Sequence, residues 1–218
     1  MSEHAKGGVR LSRELAVAAA LEIVSRDGVE ALSMRRLGRE LGVDPMAVYH
    51  HIPNKQALFD ELVAAIWDEL ELPARSGTWE HQLRTLATAV RELLIRHANA
   101  LPIIATRSSL GAGTLAALDH GVGLLSDAGM EPREALALLS VATSWLIGHA
   151  LAEAGRPPQG VGDVGDREIL SAFAGPQAQR AYPHLAAAVG GDGLLDWDET
   201  FEQGLQTFIR GVRVRLER

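Results

Sequence analysis

The stretch LSMRRLGRELGVDPMAVYHHIPNK, residues 32–55, constrains this chain more than any other. Ser33 is a favoured N-cap, and Leu37 and Leu41 fall four residues apart on the helix that follows. Gly42 can take the left-handed backbone conformation that ends a helix. Val43 then turns inward, and Asp44-Pro45 caps and opens a second helix with proline at its first position. Pro53 biases Ile52 away from helix, so this second helix is expected to run through about His51. Asn54 caps a third helix that begins at Lys55. Two short helices joined by a glycine turn form a helix-turn-helix, whose second helix is the one that enters a DNA major groove.

These residues resemble the DNA-binding domain of the tetracycline-repressor (TetR) family. The resemblance is carried by Leu32, Arg35, Leu37, Leu41, Gly42, Val43, Val48, Tyr49, His51, Asn54, Lys55 and Leu58. It is strong over the first quarter of the chain and continues weakly beyond, best between Leu118 and His149. It implies a homodimeric transcriptional regulator, a repressor released from a palindromic DNA operator by a small-molecule inducer.

Composition agrees with a helical reading. The 218 residues are 47% hydrophobic and only 5% aromatic, with alanine and leucine dominant. There are no cysteines, which excludes disulfides and thiolate metal sites. The net charge of −7 is unfavourable for a DNA binder taken as a whole, but it is unevenly spread. Residues 1–55 hold eight Lys/Arg against seven Asp/Glu, and the remainder holds 13 against 21. The head can therefore approach phosphate where the body cannot. No apolar run is expected to reach the span of a bilayer, and the N-terminus lacks a signal-peptide core. Both predict a soluble, cytoplasmic protein with no membrane partner.

The pattern along the chain predicts an all-α fold. An N-terminal three-helix helix-turn-helix domain is followed by a larger helical ligand-binding and dimerisation domain. Residues 1–10 are expected to form a flexible tail, whose Lys6 and Arg10 either reach phosphate or are simply solvated. Residues 11–72 form the DNA-binding domain, including a connecting helix from Lys55 to about Leu72, and 73–218 form the second domain. Ser12 caps a first helix to about Asp27, stopped by Gly28. Pro73 to Gly77 reads as a hinge, and Ser76 or Thr78 caps a helix from Trp79 to about Ala98. Pro102 breaks the pattern, Ile103 to Leu110 holds a short helix, and Gly111 to Gly113 a turn. Helices then span Thr114–Ala128, ended by Gly129, and Pro132 to about Ala154. Gly155–Gly165 and Gly190–Gly193 read as loops, with helix over Arg167–Val189 interrupted near Gly175-Pro176. The last helix spans Asp196 to about Arg215.

Val48 is the inward position of the second short helix, which leaves Pro45, Met46, Ala47, Tyr49, His50 and His51 outside. Met46 and Ala47 offer contact to thymine methyls, and His50 a hydrogen bond to base or phosphate. Tyr49, His51 and Lys55 are placed for phosphates, and Ser33 and Arg35 come from the first short helix. The resemblance implies that Arg35 contacts DNA and that Tyr49, His51 and Lys55 anchor its backbone. Arg36 and Arg39 read as a solvated flank. The competing reading packs Tyr49 and His51 inside the small domain.

The resemblance also places an inducer among the middle helices. Its expected walls are Leu86, Val90, Ile103, Ile104, Arg107, Val122, Leu125, Trp145 and His149, with Arg107 and His149 as the polar groups. The aliphatic members equally suit a plain core, and His149 reads equally as a core histidine. Arg133–Ala154 and Asp196–Arg215 carry more apolar surface than one core needs. The resemblance implies that they pair with their twins as a four-helix bundle, with part of the set Trp197, Phe201, Leu205 and Phe208 at the dimer interface, and the competing reading keeps all four in the chain's own core. Where tetracycline-binding members carry a magnesium-binding histidine, this chain has Ile103 or Ile104. Ala152 replaces a water-holding glutamate and Gly121 a drug-contacting glutamine. A hard cation needs oxygen or imidazole ligands, so a magnesium–tetracycline inducer is not expected.

Two alternatives stand beside this reading. One is a dimeric DNA-binding regulator with no small-molecule ligand. The other is a small helical enzyme, which lacks any phosphate loop, nucleophile elbow or metal motif to support it. His97, His120, His149 and His184 are far apart, and no metal or cofactor is expected.

Overall fold

The computed structural model describes residues 11–107, 111–155, 175–189 and 197–217. Eleven α-helices and no strand occur among them. Helices α1 (Arg13–Asp27), α2 (Met34–Glu40), α3 (Pro45–Tyr49) and α4 (Lys55–Asp68) come first. They are followed by α5 (Trp79–Arg96), α6 (Leu101–Thr106), α7 (Ala112–Asp127) and α8 (Pro132–Ala154). The remaining three are α9 (Pro176–Ala181), α10 (Pro183–Val189) and α11 (Trp197–Leu216). The tail 1–10, the loop after Gly155 and the loop 190–193 lie outside the described residues, as does the part of the expected 167–189 helix before Gly175.

Local chemistry sets most helix starts. The amide of Leu15 donates to Ser12 Oγ at 3.2 Å, that of Arg36 to Ser33 Oγ at 3.1 Å, and that of Met46 to Asp44 Oδ1 at 2.8 Å. The amide of Ala57 donates to Asn54 Oδ1 at 2.9 Å, and that of His81 to Thr78 Oγ1 at 3.3 Å. Each side chain satisfies one of the donors that a helix N-terminus leaves unpaired. The turn between α2 and α3 needs Gly42, whose φ of 67° favours glycine.

Four boundaries differ from expectation. Helix α3 ends at Tyr49, two residues early, because Val48 O accepts the amides of His51 and Ile52 in a closing turn. Helix α4 ends at Asp68 rather than Leu72. The backbone of α7 lies against its last turn: a Cβ on Gly113 would sit 2.6 Å from the Asp68 nitrogen, and the Gly113 amide donates to Asp68 Oδ1 at 2.6 Å. That bond caps α7, so the expected Gly111–Gly113 turn is already helical from Ala112. Pro102 sits in the first turn of α6, where its missing N–H costs nothing. The break falls instead at His97, with a 3₁₀ turn over Ala98–Ala100.

One core cluster of buried side chains runs from Ala16 on α1 to Val212 on α11. Pro73 does not divide it. Asn99 Nδ2 donates to the Ser25 carbonyl at 2.7 Å, tying α1 to the turn after α5, and His97 meets Glu69 at 2.8 Å. Helix α8 corrects another expectation. Its 23 residues are long and apolar enough, by length and composition, to cross a membrane. Ser140, Thr143, Ser144 and His149 interrupt this run in the sequence. In the fold α8 packs against α5, α6, α7 and α11. Only 28% of its most apolar stretch is buried by the chain, and Leu136, Val141 and Leu151 stay exposed.

Candidate DNA-reading head and sensing cavity

Helices α2 and α3 cross closely because Gly38 has no side chain: a Cβ there would lie 3.1 Å from the Pro45 backbone and from Val43 O. Val48 is fully buried and fixes which face of α3 turns outward. On that face Met46 is 63% exposed and Tyr49 41%, with His50 and His51 also exposed and Pro45 and Ala47 half-buried. The exposure of Tyr49 and His51 sets aside the reading that packs them inside the head. Ser33 and Arg35 are exposed beside α3. Arg36 is not the solvated flank the sequence suggests, for it pairs with Asp27 and donates to the Ala31 carbonyl at 3.4 Å. Arg39 remains exposed. Lys55 begins α4 half-buried, its Nζ 5.1 Å from the centre of the Phe59 ring.

An apolar cavity of about 90 Å³ opens among α4, α5, α7 and α8. Of the nine expected wall residues only Leu86 and Val90 line it. The others are Trp67, Leu83, Ala87, Thr114, Ala117, Leu118, Leu139, Ala142, Thr143 and Leu146. Ile103, Ile104 and Leu125 belong to the solid core, and Val122 packs against it. Arg107 is corrected more sharply. It reaches back over α4, pairs with Asp60, donates to the Gln56 carbonyl at 3.3 Å and covers Phe59 at 5.2 Å. The missed residue with a readable signal is Leu83, which shares a helix face with Leu86 and Val90 at spacings of three and four. Nothing local marks Trp67 or Thr114.

Trp145 and His149 belong to an aromatic cluster away from that cavity. Trp145 stacks on Phe201 at 5.7 Å, and Trp197 meets His149 edge-on at 5.4 Å. Arg91 covers Phe201 at 4.7 Å and pairs with Glu153 at 2.8 Å and Asp198 at 2.7 Å. Burial pushes the His149 imidazole below its ordinary value, with Glu153 pulling the other way. This cluster also corrects the interface expectation. Phe201 is 6% exposed and Leu205 1%, both filled by contacts within the chain, while Trp197 and Phe208 are half-buried. The cause is Gly204, whose missing side chain lets α11 close on Trp145: a Cβ there would lie 2.8 Å from the indole Cε2.

The described residues do not suit a divalent cation. They contain no group of three or more His, Asp or Glu placed to hold one, and the cavity wall offers only two threonine hydroxyls besides the Trp67 indole.

A helix-turn-helix set on a helical body with an internal cavity is the architecture of a regulator of transcription. Comparison with known proteins gives the same class. Residues 16–62 match the model of bacterial regulatory proteins of the tetR family, and residues 72–216 that of the tetracyclin repressor-like C-terminal domain. The chain belongs to the tetR family, and it is a DNA-binding regulator rather than an enzyme. An HTH-type transcriptional regulator of Saccharopolyspora erythraea is 30% identical over 204 residues, covering 93% of this chain and 84% of that protein. The class D tetracycline repressor protein of Escherichia coli is 27% identical over 211 residues, covering 95% of this chain and 91% of that protein. The Streptomyces coelicolor TetR family protein ActR, solved in complex with actinorhodin, is 26% identical with a TM-score of 0.86, covering 96% of this chain and 100% of that one.

Proposed function

We propose that this chain is a homodimeric repressor released from a palindromic operator when a small molecule enters the cavity between α4, α5, α7 and α8. One observation carries the reading. Trp67 is both a wall of the cavity and part of the last turn of α4, the helix that begins beside the reading helix. Gly113 of α7 rests on the same turn. A molecule that displaces Trp67 or α7 therefore moves α4. At the other end of α4, Arg107 ties Gln56, Phe59 and Asp60 to the body. The complex of ActR with actinorhodin supports a ligand in this fold.

On the DNA side, Met46 and Ala47 read base edges, and His50 reads a base or phosphate. Tyr49, His51 and Lys55 hold phosphates, with Ser33 and Arg35 from α2 beside them and Pro45 opening the reading helix. The second copy covers the exposed apolar face of α8 with its own α8 and α11. Val141, 59% exposed, and Val214, 52% exposed, take the place at the interface that the sequence assigned to Phe201 and Leu205.

Operator binding titrated with an inducer tests this reading on full and half sites. A palindrome is held only when two reading helices stand about one duplex turn apart, roughly 34–36 Å. The inducer is expected to weaken binding to the full palindrome far more than to an isolated half-site. Equal loss on both would mean that the ligand disrupts the head itself, and the release mechanism would fail.

A further inference from the structure

Among the described residues, no side chain lining the cavity carries a charge. Its surface is aliphatic, supplied by residues such as Leu86, Val90 and Leu146, with the Trp67 ring at one side. Among the described residues, Thr114 and Thr143 bring its only hydroxyls. The Thr114 hydroxyl oxygen is buried and has no hydrogen-bond partner among the described residues. A buried hydroxyl without a partner is an uncommon and costly arrangement, and a ligand atom that meets it removes the cost.

Charge decides what such a wall accepts. A carboxylate or phosphate entering it loses its hydration and finds no cation in return, so it binds far more weakly than a neutral molecule of the same shape. A neutral hydroxyl or carbonyl needs one partner, which Thr114 supplies, because a threonine hydroxyl both donates and accepts. Size decides how the ligand acts. A volume of about 90 Å³ is below the ~150 Å³ of an apolar cavity known to take benzene. A two-ring molecule must therefore push its walls apart, and Trp67 is the wall that belongs to α4.

We propose that the cavity takes an uncharged, largely apolar ring compound bearing a hydroxyl or carbonyl, anchored on Thr114, and that it rejects carboxylates, phosphates and metal chelates. This rests on the reading of the cavity as the sensing site.

Three probes of one shape test it on the full-length protein by calorimetric titration at neutral pH without DNA: naphthalene, 1-naphthol and 1-naphthoate. 1-Naphthol is expected to bind roughly five- to tenfold more tightly than naphthalene, the difference being one hydrogen bond. 1-Naphthoate is expected to bind at least about a hundredfold more weakly than 1-naphthol. In Thr114→Val, which keeps the shape, 1-naphthol should fall to within about twofold of naphthalene while naphthalene itself binds unchanged. A thermal midpoint like that of the wild type checks that the variant folds. Leu86→Trp, which fills the cavity, should remove binding of all three.

Binding of 1-naphthoate as tight as that of 1-naphthol would overturn the proposal. So would a full 1-naphthol advantage in Thr114→Val, undiminished binding in Leu86→Trp, or no binding of any probe. Operator displacement is read separately. If 1-naphthol binds as expected and the operator stays bound, release fails and the ligand class stands. If 1-naphthoate displaces the operator and 1-naphthol does not bind, the ligand class fails and release stands.

Discussion

The phosphate contact proposed for Lys55 would compete with a ring contact for one cation. Its Nζ is 5.1 Å from the Phe59 ring, which Arg107 also covers at 5.2 Å. The ring holds Lys55 at the start of α4, and a contact to one phosphate releases about one counterion. Lys55→Ala is expected to weaken binding to every operator sequence alike and to reduce the salt slope by about 1, measured by operator titration across salt concentrations. Substituting Met46 should instead redistribute preference among sequences. A changed base preference in Lys55→Ala with an unchanged salt slope would remove Lys55 from the phosphate contacts. His149 gives a second expectation at this scale. Burial holds it below its ordinary value of 6.5, Arg91 adds to that, and Glu153 and Asp198 oppose it. An unfolded chain therefore takes up the proton first as pH falls through about 6.5, so the stability present above that value is lost below it. His120 is lowered in the same sense, again chiefly by burial. The melting temperature is expected to fall between about pH 7 and about pH 5.5, and His149→Phe should remove one of these two contributions. An unchanged pH profile in that variant would mean that His149 is equally protonated in both states.

At the scale of the element, most helix starts were legible, whereas the starts of α6 and α7 and some helix ends were not. Ser12, Ser33, Asp44, Asn54 and Thr78 act as caps within three residues of their partners, so the sequence carries that information locally. The outward face of α3 was equally legible, because one buried Val48 fixes it. The end of α4 was not, since it is decided by Gly113, which is 45 residues away from Asp68. The cavity wall was mostly hidden too. Leucines at helical spacing look the same whether they fill a core or border a space, and Trp67 and Thr114 become neighbours only through packing. The same contact predicts an effect. Gly113→Ala places a methyl against the Asp68 nitrogen and should cost about 1–3 kcal/mol in denaturant unfolding. It should also loosen operator binding without ligand, because α7 is then driven off α4. Wild-type stability and wild-type operator affinity together would show that α7 does not bear on α4.

At the scale of the whole molecule, the apolar α8 and the amphipathic α11 divide between the chain's core and the contact surface proposed for a second copy. Phe201→Glu buries a carboxylate inside the chain and is expected to unfold it, costing several kcal/mol, rather than to yield monomers. Val141→Glu changes an exposed residue and should give folded monomers with weakened operator binding, read by sedimentation and circular dichroism. A fully dimeric Val141→Glu protein would move the interface off this face of α8. The continuous core has a consequence for engineering and for descent alike. Because Asn99 holds α1, Arg107 holds α4, and Phe59 and Trp67 are buried, the reading head is not a cassette. A chimaera cut at Pro73 and joined to another relative's body would expose both rings and lose both ties. New operator specificity is therefore more readily reached by changing a few outward residues of α3 than by exchanging heads.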